Sequence, residues 1–267
     1  MSIAEKLTTI AENEQKVYEA GKKAEHDAFW DGYQNYGNRK DYAYAFYNGD
    51  YGEHRQWNNI TFKPKYDLIP TVADRMFYNM EGVADLGEHL DKLGVKLDLS
   101  NCTRISLAFA KGDFIKLPTI DCAMASHTYG IQNMCSACSK LETIEKWIMS
   151  SRVASASSCF ANCTKLKNLT VEGTIATSIS FSASPLSISS IKSVIKHLRN
   201  FDNSTNNVVS FKNTGSFAEL EKEGFTDEDY EWIEANLGYS KEDLINYGYD
   251  DWVTIVSLLG WEFTLSN

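Results

Sequence analysis

The sequence predicts an α/β solenoid, a stack of short coils that share one apolar interior. Two observations carry that expectation. Leucines at 117, 141 and 166 recur at steps of 24 and 25 residues. They sit within similar stretches, Phe114-Ile-Lys-Leu-Pro-Thr-Ile120, Cys138-Ser-Lys-Leu-Glu-Thr-Ile144 and Cys163-Thr-Lys-Leu-Lys-Asn-Leu169. Each stretch also follows an apolar pair, Ala108-Phe109, Met134-Cys135 or Cys159-Phe160, and Met76-Phe77 reads as an earlier copy. A unit of this size cannot bury its own apolar face. Stacked units can, because each supplies the wall that its neighbour lacks. One short strand per unit then builds a parallel sheet along one side of the stack.

Residues 1–27 read as an N-terminal helix. Ile3, Leu7, Ile10, Val17 and Ala24 fall at spacings of 4, 3, 7 and 7, an a/d seam with Glu14 and Gly21 as its weak positions. The seam fits a coiled-coil stem that joins copies of the chain. It equally fits one amphipathic helix laid on its own domain. About three heptads make an isolated helix marginal, so either reading requires a partner surface.

Residues 28–70 form an aromatic-rich loop or capping segment. Trp30, Tyr33, Tyr36, Tyr42, Tyr44, Tyr47 and Trp57 stand among glycine, asparagine and aspartate. Those small polar residues oppose a regular element. The rings either cover the first coil or face a ligand. Tyr and Trp offer broad, rigid contact area to sugars and to protein surfaces alike.

The repeat array is expected over residues 71–215. After Met76-Phe77 comes a longer unit with a helix, Val83 to Leu93. Ser184-Pro-Leu186 is the last, degenerate copy, 20 residues after Leu166. A helix follows over 186–201, with Ile188, Ile191, Val194, Ile195 and Leu198 on one face and Ser189 or Ser190 as its cap.

Residues 216–267 are expected to cap the array. Thr226-Asp-Glu-Asp opens a helix that runs through Leu237 and stops at Gly238. Ser240-Lys-Glu-Asp opens another, ending near Tyr247-Gly248. Asp251 to Leu259 is apolar enough to dock on the array, and Trp261-Glu-Phe-Thr-Leu265 alternates like an edge strand.

Composition narrows the function classes. The formal net charge is −10, which repels phosphate backbones, so neither nucleic acid nor an anionic membrane is an expected partner. No apolar run approaches the ~18 residues of a membrane span. The N-terminus has no uninterrupted apolar stretch, so synthesis in a cytoplasm without a signal peptide is expected. In that reducing compartment six cysteines are expected as thiols.

The repeat stretch resembles the BspA-type leucine-rich repeats. Their units carry a Cys-x-x-Leu-x-x-Ile core and an Ala-Phe or Met-Phe pair some residues before it. The opening Ile3-Ala-Glu-Lys-Leu-Thr-Thr-Ile-Ala-Glu-Asn-Glu-Gln-Lys-Val-Tyr18 and Thr61-Phe-Lys-Pro-Lys-Tyr-Asp-Leu-Ile-Pro-Thr71 also look like proteins encoded in prophage tail regions of gut Firmicutes. The resemblance covers residues 1 to about 211. It implies an irregular leucine-rich-repeat solenoid whose role is recognition of a cell-surface protein or glycan, as a tail-associated, receptor-binding component of a virion. A bacterial surface adhesin or host-interaction protein is the alternative. It implies no catalytic residue and no cofactor.

Other chemistry finds thinner support. Cys135-x-x-Cys138 with Cys159-x-x-x-Cys163 approaches a four-cysteine zinc pattern. Repetition of the unit produces the same spacing without a metal, because Cys138 and Cys163 share one register position. A Cys135–Cys138 redox pair is a further option. No phosphate-cradling glycine loop, nucleophile elbow or His-Glu-x-x-His occurs. Five histidines fall in five separate segments. A glycan hydrolase would have to use carboxylates such as Asp31 or Asp50 beside the aromatic loop.

Overall fold

The computed structural model describes residues 67–126, 128–201 and 205–266, together with Asn13 and Lys16, which are both helical. The rest of the predicted N-terminal helix and the aromatic segment up to residue 66 lie outside the described residues. From Leu68 onward the chain is a solenoid of parallel strands and helices. Its buried side chains form one continuous core from Leu68 to Trp261.

One side of the solenoid is made of turns. Around Phe77, Phe109, Cys135 and Phe160 every second N–H closes a turn onto the carbonyl three residues back. In the first three of these turns the intervening N–H groups donate to the next coil. Arg75, Phe77 and Asn79 donate to Ser106, Ala108 and Ala110, and Leu107, Phe109 and Lys111 donate to Gln132, Met134 and Ser136. Asn133, Cys135 and Ala137 continue to Ser157, Cys159 and Ala161, and these inter-coil bonds span 2.7–3.1 Å. Around Phe77, Phe109 and Cys135 every amide of the turn is thus hydrogen-bonded, either within its own coil or to the next, which suits a buried wall. The geometry requires a left-handed residue two positions either side of each centre. Arg75, Asn79, Leu107, Lys111, Asn133, Ala137, Ser158 and Asn162 accordingly have φ between 52° and 62°. Asparagine tolerates that conformation. The others adopt it at a cost of about 1–2 kcal/mol each, which the ladder must offset.

The centres of these turns form a column. Phe77 stacks on Phe109 with centroids 5.5 Å apart, Phe160 on Phe181 at 5.0 Å, and Phe181 on Phe211 at 5.9 Å. Cys135 occupies the column between Phe109 and Phe160. The apolar pairs read from the sequence are therefore in register from coil to coil.

The opposite side carries the strands. β1 (Lys116–Leu117) and β2 (Ile120–Asp121) both pair in parallel with β3 (Thr143–Met149), and β3 pairs in parallel with β4 (Asn168–Gly173). Here the leucine anchors require a correction. Leu117 lies opposite Ile144, and Ile144 opposite Leu169. The N–H of Glu142 donates to Ile115 and that of Lys167 to Glu142, so Phe114, not Leu117, shares a row with Leu141 and Leu166. Ser187 donates to Lys167 in turn, which adds Leu186 to that row. All of these side chains are buried. The slip has a simple cause. Each stretch offers two apolar residues three apart on one face, and Gly112 to Phe114 is one residue shorter than Cys138 to Leu141. Superposing leucine on leucine therefore shifts the first unit by one step.

α1 (Leu86–Lys92) lies in the first coil, within the helix expected over Val83–Leu93, and Asp85 caps it by accepting from the Glu88 N–H. Next to β4 the strand position is taken by α2 (Ile188–Lys196), which Ser187 caps. Ser190 was an expected cap. Instead its hydroxyl accepts from the Leu169 N–H at 2.8 Å, and Ser193 accepts from the Val171 N–H at 2.8 Å. Two hydroxyls one helical turn apart thus satisfy two edge amides two residues apart. The solenoid then resumes with a second parallel sheet, β5 (Ile179–Phe181), β6 (Val208–Lys212) and β7 (Glu262–Ser266), in that order.

Four helices lie between β6 and β7. α3 (Gly215–Glu223) follows Thr214, which makes no side-chain cap bond. α4 (Asp227–Leu237) begins in a capping box of Thr226 and Asp229 and ends at Gly238, φ 75°. α5 (Lys241–Tyr247) repeats the device with Ser240, Asp243 and Gly248. α6 (Trp252–Leu258) is capped by Asp251 and buries Trp252, Ile255 and Val256. β7, expected as an edge strand, pairs with β6 over its whole length. No helix among the described residues is long and apolar enough to cross a membrane.

Candidate recognition surface

The rings proposed to meet a ligand, Trp30, Tyr33, Tyr36, Tyr42, Tyr44, Tyr47 and Trp57, lie outside the described residues. Among the described residues three chemically distinct regions stand out: the strand face, the buried thiol-bearing interior just behind the turns, and the outer side of α4 and α5.

On the strand face, stacking places residues of successive coils about 4.8 Å apart, so charges meet across coils. The Lys116 ammonium lies 2.5 Å from Glu145 and 3.5 Å from Asp85. Its hydrogen bond to Glu145 holds its pKa above the ordinary lysine range. Lys146 meets Glu172 at 2.6 Å, and Lys140 meets Asp113 at 2.9 Å. Asn168 donates to the Thr143 hydroxyl. These rows alternate in sign and neutralise one another, so this face presents polar shape more than net field. Such exposed pairs contribute at most about 1 kcal/mol each.

The cysteines have their own arrangement. Cys138 donates its thiol to the Phe109 carbonyl and Cys163 donates to the Cys135 carbonyl, both at 3.0 Å. The two contacts are equivalent, one coil apart. They explain the repeated cysteine as a compact buried donor that fits where the chain turns from the ladder toward the strand. Cys135 and Cys159 are fully buried neighbours of that row. Burial pushes the Cys163 thiol up to about 12 and raises the Cys135, Cys138 and Cys159 thiols as well. Thiols in that state are poor nucleophiles. Among the described residues, no three His, Cys, Asp or Glu side chains gather in a metal-holding cluster.

The outer side of α4 and α5 is different. Tyr239, Tyr247 and Tyr249 pack edge to face or tilted, with centroids 5.6–6.3 Å apart. Tyr239 and Tyr249 rest on the core, while Tyr247 is 61% exposed. Nearby, the Lys241 ammonium sits 4.5 Å above the Tyr230 ring and 3.2 Å from Asp227. The sequence reading passed over this group. Its signal was present in Tyr239 and Tyr247-Gly-Tyr249, which flank a short helix ended by a left-handed glycine, but only folding brings Tyr239 to the other two.

Where α4 meets α2, Asp229 is buried and accepts from Lys192 at 2.7 Å, Lys196 at 2.8 Å and the Thr226 N–H. Burial alone would raise its carboxyl. The hydrogen bonds from Lys192, Lys196 and Thr226 outweigh that and hold it at about 2. Glu221 shows the opposite balance. Burial raises its carboxyl, and the nearby Asp251 adds to the effect.

No family model, no curated protein and no solved structure matches this chain.

Proposed function

We propose that the chain is a non-catalytic recognition module of the leucine-rich-repeat type, binding a cell-surface protein or glycan as a tail-associated component of a virion. A stem over residues 2–27 would join copies, and the rings between Trp30 and Trp57 would supply the anchoring contacts. One observation supports this reading above the others. The coils consume their backbone hydrogen bonds and their thiols internally, so what they offer outward is a rigid, evenly spaced array of side chains. Scaffolds of that kind act through their surface.

The test is a screen of the intact protein against arrayed glycans and cell-surface proteins. Alanine at Trp30, Tyr44, Tyr47 and Trp57 should then weaken binding by about 2 kcal/mol or more at each true anchor. If all four variants fold and bind the selected partner as the parent does, the aromatic segment is a cover for the first coil. The stem requires a solution mass that is a multiple of 30.1 kDa by light scattering. A monomer at every concentration removes it.

A further inference from the structure

We infer that the tyrosine trio on the outer side of α5 is a docking surface for a lysine- or arginine-rich segment of a partner protein. This surface is separate from the rings of residues 30–57 and does not depend on their role. Between Thr226 and Asp251 the chain carries nine carboxylates and one basic residue, Lys241. Asp229 is neutralised by Lys192 and Lys196 of α2, and Asp243 and Asp251 serve as helix caps. Glu242 and Asp250, which flank the tyrosines in the chain, are exposed. The outward charge of this unit is therefore negative, and the same unit carries the exposed Tyr247 ring.

The chain already shows how such a surface holds a cation. Lys241 is set over the Tyr230 ring with its ammonium on the Asp227 carboxylate. Lys192 is set over the Trp252 ring at 5.6 Å with its ammonium on Asp229. Two of the three lysines that meet α4, Lys192 and Lys241, are thus held by one ring and one carboxylate, while the third, Lys196, meets the Asp229 and Glu228 carboxylates. The trio presents the same two ingredients. Among the described residues, no lysine or arginine lies over Tyr239, Tyr247 or Tyr249. A ring face attracts a cation through its quadrupole, and carboxylates nearby add charge complementarity. A neutral sugar would use the ring but gain nothing from the carboxylates, so the observations favour a basic peptide.

The experiment is a fluorescence-anisotropy titration of the full chain with an alternating Lys–Gly peptide, and with a Glu–Gly peptide as control. Saturable binding of the basic peptide is expected, weakening as salt screens the carboxylates. Tyr247→Ala should weaken it about three- to five-fold, and Tyr247→Phe, which keeps the ring face, should not. Glu242→Gln combined with Asp250→Asn should flatten the salt dependence. These exposed side chains carry no core packing, so the charge variants keep the test open even if Tyr247→Ala unfolds. Absence of binding, equal binding of the Glu–Gly peptide, parental affinity in Tyr247→Ala, or an unchanged salt slope in the charge variant would each overturn the assignment.

Discussion

The turn column and the helices between β6 and β7 are built by opposite rules. In the column, Phe77, Phe109, Cys135 and Phe160 hold position because successive coils hydrogen-bond to one another across 24 to 31 residues of chain. Several residues there are locally unfavourable, such as Leu107 at φ 57° and Lys111 at 60°. In α4 and α5, each helix start is fixed by a Ser or Thr three residues before an Asp, and each stop by a left-handed glycine. Local chemistry decides there, and packing follows. The column should therefore fail all at once when its interior is damaged, whereas the helices should lose stability in small, separable steps.

The largest expected effect breaks the column. Phe160 stacks on Phe181 and meets the edge of Trp147 at 5.2 Å. Phe160→Ala should cost about 3–5 kcal/mol in urea unfolding. A loss below about 1 kcal/mol would mean that coils can repack independently, and the contrast would go.

The next tests the junction. Asp229→Asn should cost about 2 kcal/mol near neutral pH, the equivalent of lowering a carboxyl from 3.8 to about 2. The sign follows from a depressed folded-state pKa. The stabilisation is complete above the unfolded value and fades as pH falls through about 2. Parent and variant should converge at that acid end, and a gap that persists there would place the effect in packing instead.

A smaller effect samples local control. Ser240 accepts from the Asp243 N–H and donates to its carboxylate. Ser240→Ala should cost about 1 kcal/mol, with faster amide exchange confined to α5. Exchange that rises equally in the coils would show the two regions to be one cooperative unit.

The smallest has the reverse sign. Ala137 sits at φ 62° in the ladder. Glycine removes a left-handed penalty of about 1–2 kcal/mol and adds an entropic cost of about 0.5–1 kcal/mol. Ala137→Gly should therefore stabilise by about 0.5 kcal/mol in the same urea titration, while destabilisation would show that the turns carry no strain.

The same contrast governs what could be read from residues alone. α4 and α5 were legible to the residue at both ends, because their caps and stops are contiguous in the chain. α3 was not, because Thr214 caps it without a side-chain bond and no polar signature marks its start. The existence of the repeat was legible in the apolar pairs ending at Phe77, Phe109, Cys135 and Phe160. Its strand register was not, because Phe114/Leu117, Leu141/Ile144 and Leu166/Leu169 are interchangeable to any reading of pattern, and only cross-coil pairing distinguishes them. Ser190 carried a plausible cap signal, but its hydroxyl is drawn to a neighbouring coil. At the surface, the tyrosine trio escaped notice because its members meet only after Gly238 and Gly248 fold α5 back, whereas the aromatic run of residues 30–57 was conspicuous by density alone.

Ser190 and Ser193 set a limit on growth. A strand edge left open invites any extended chain to add itself, the route by which β-rich assemblies lengthen or aggregate. A helix that lends two hydroxyls to that edge satisfies its donors while offering no ladder of its own. The first sheet is thus sealed at β4 by a partner of the wrong shape to be copied. Duplication of a unit at that point would have to displace α2 before it could lengthen the protein.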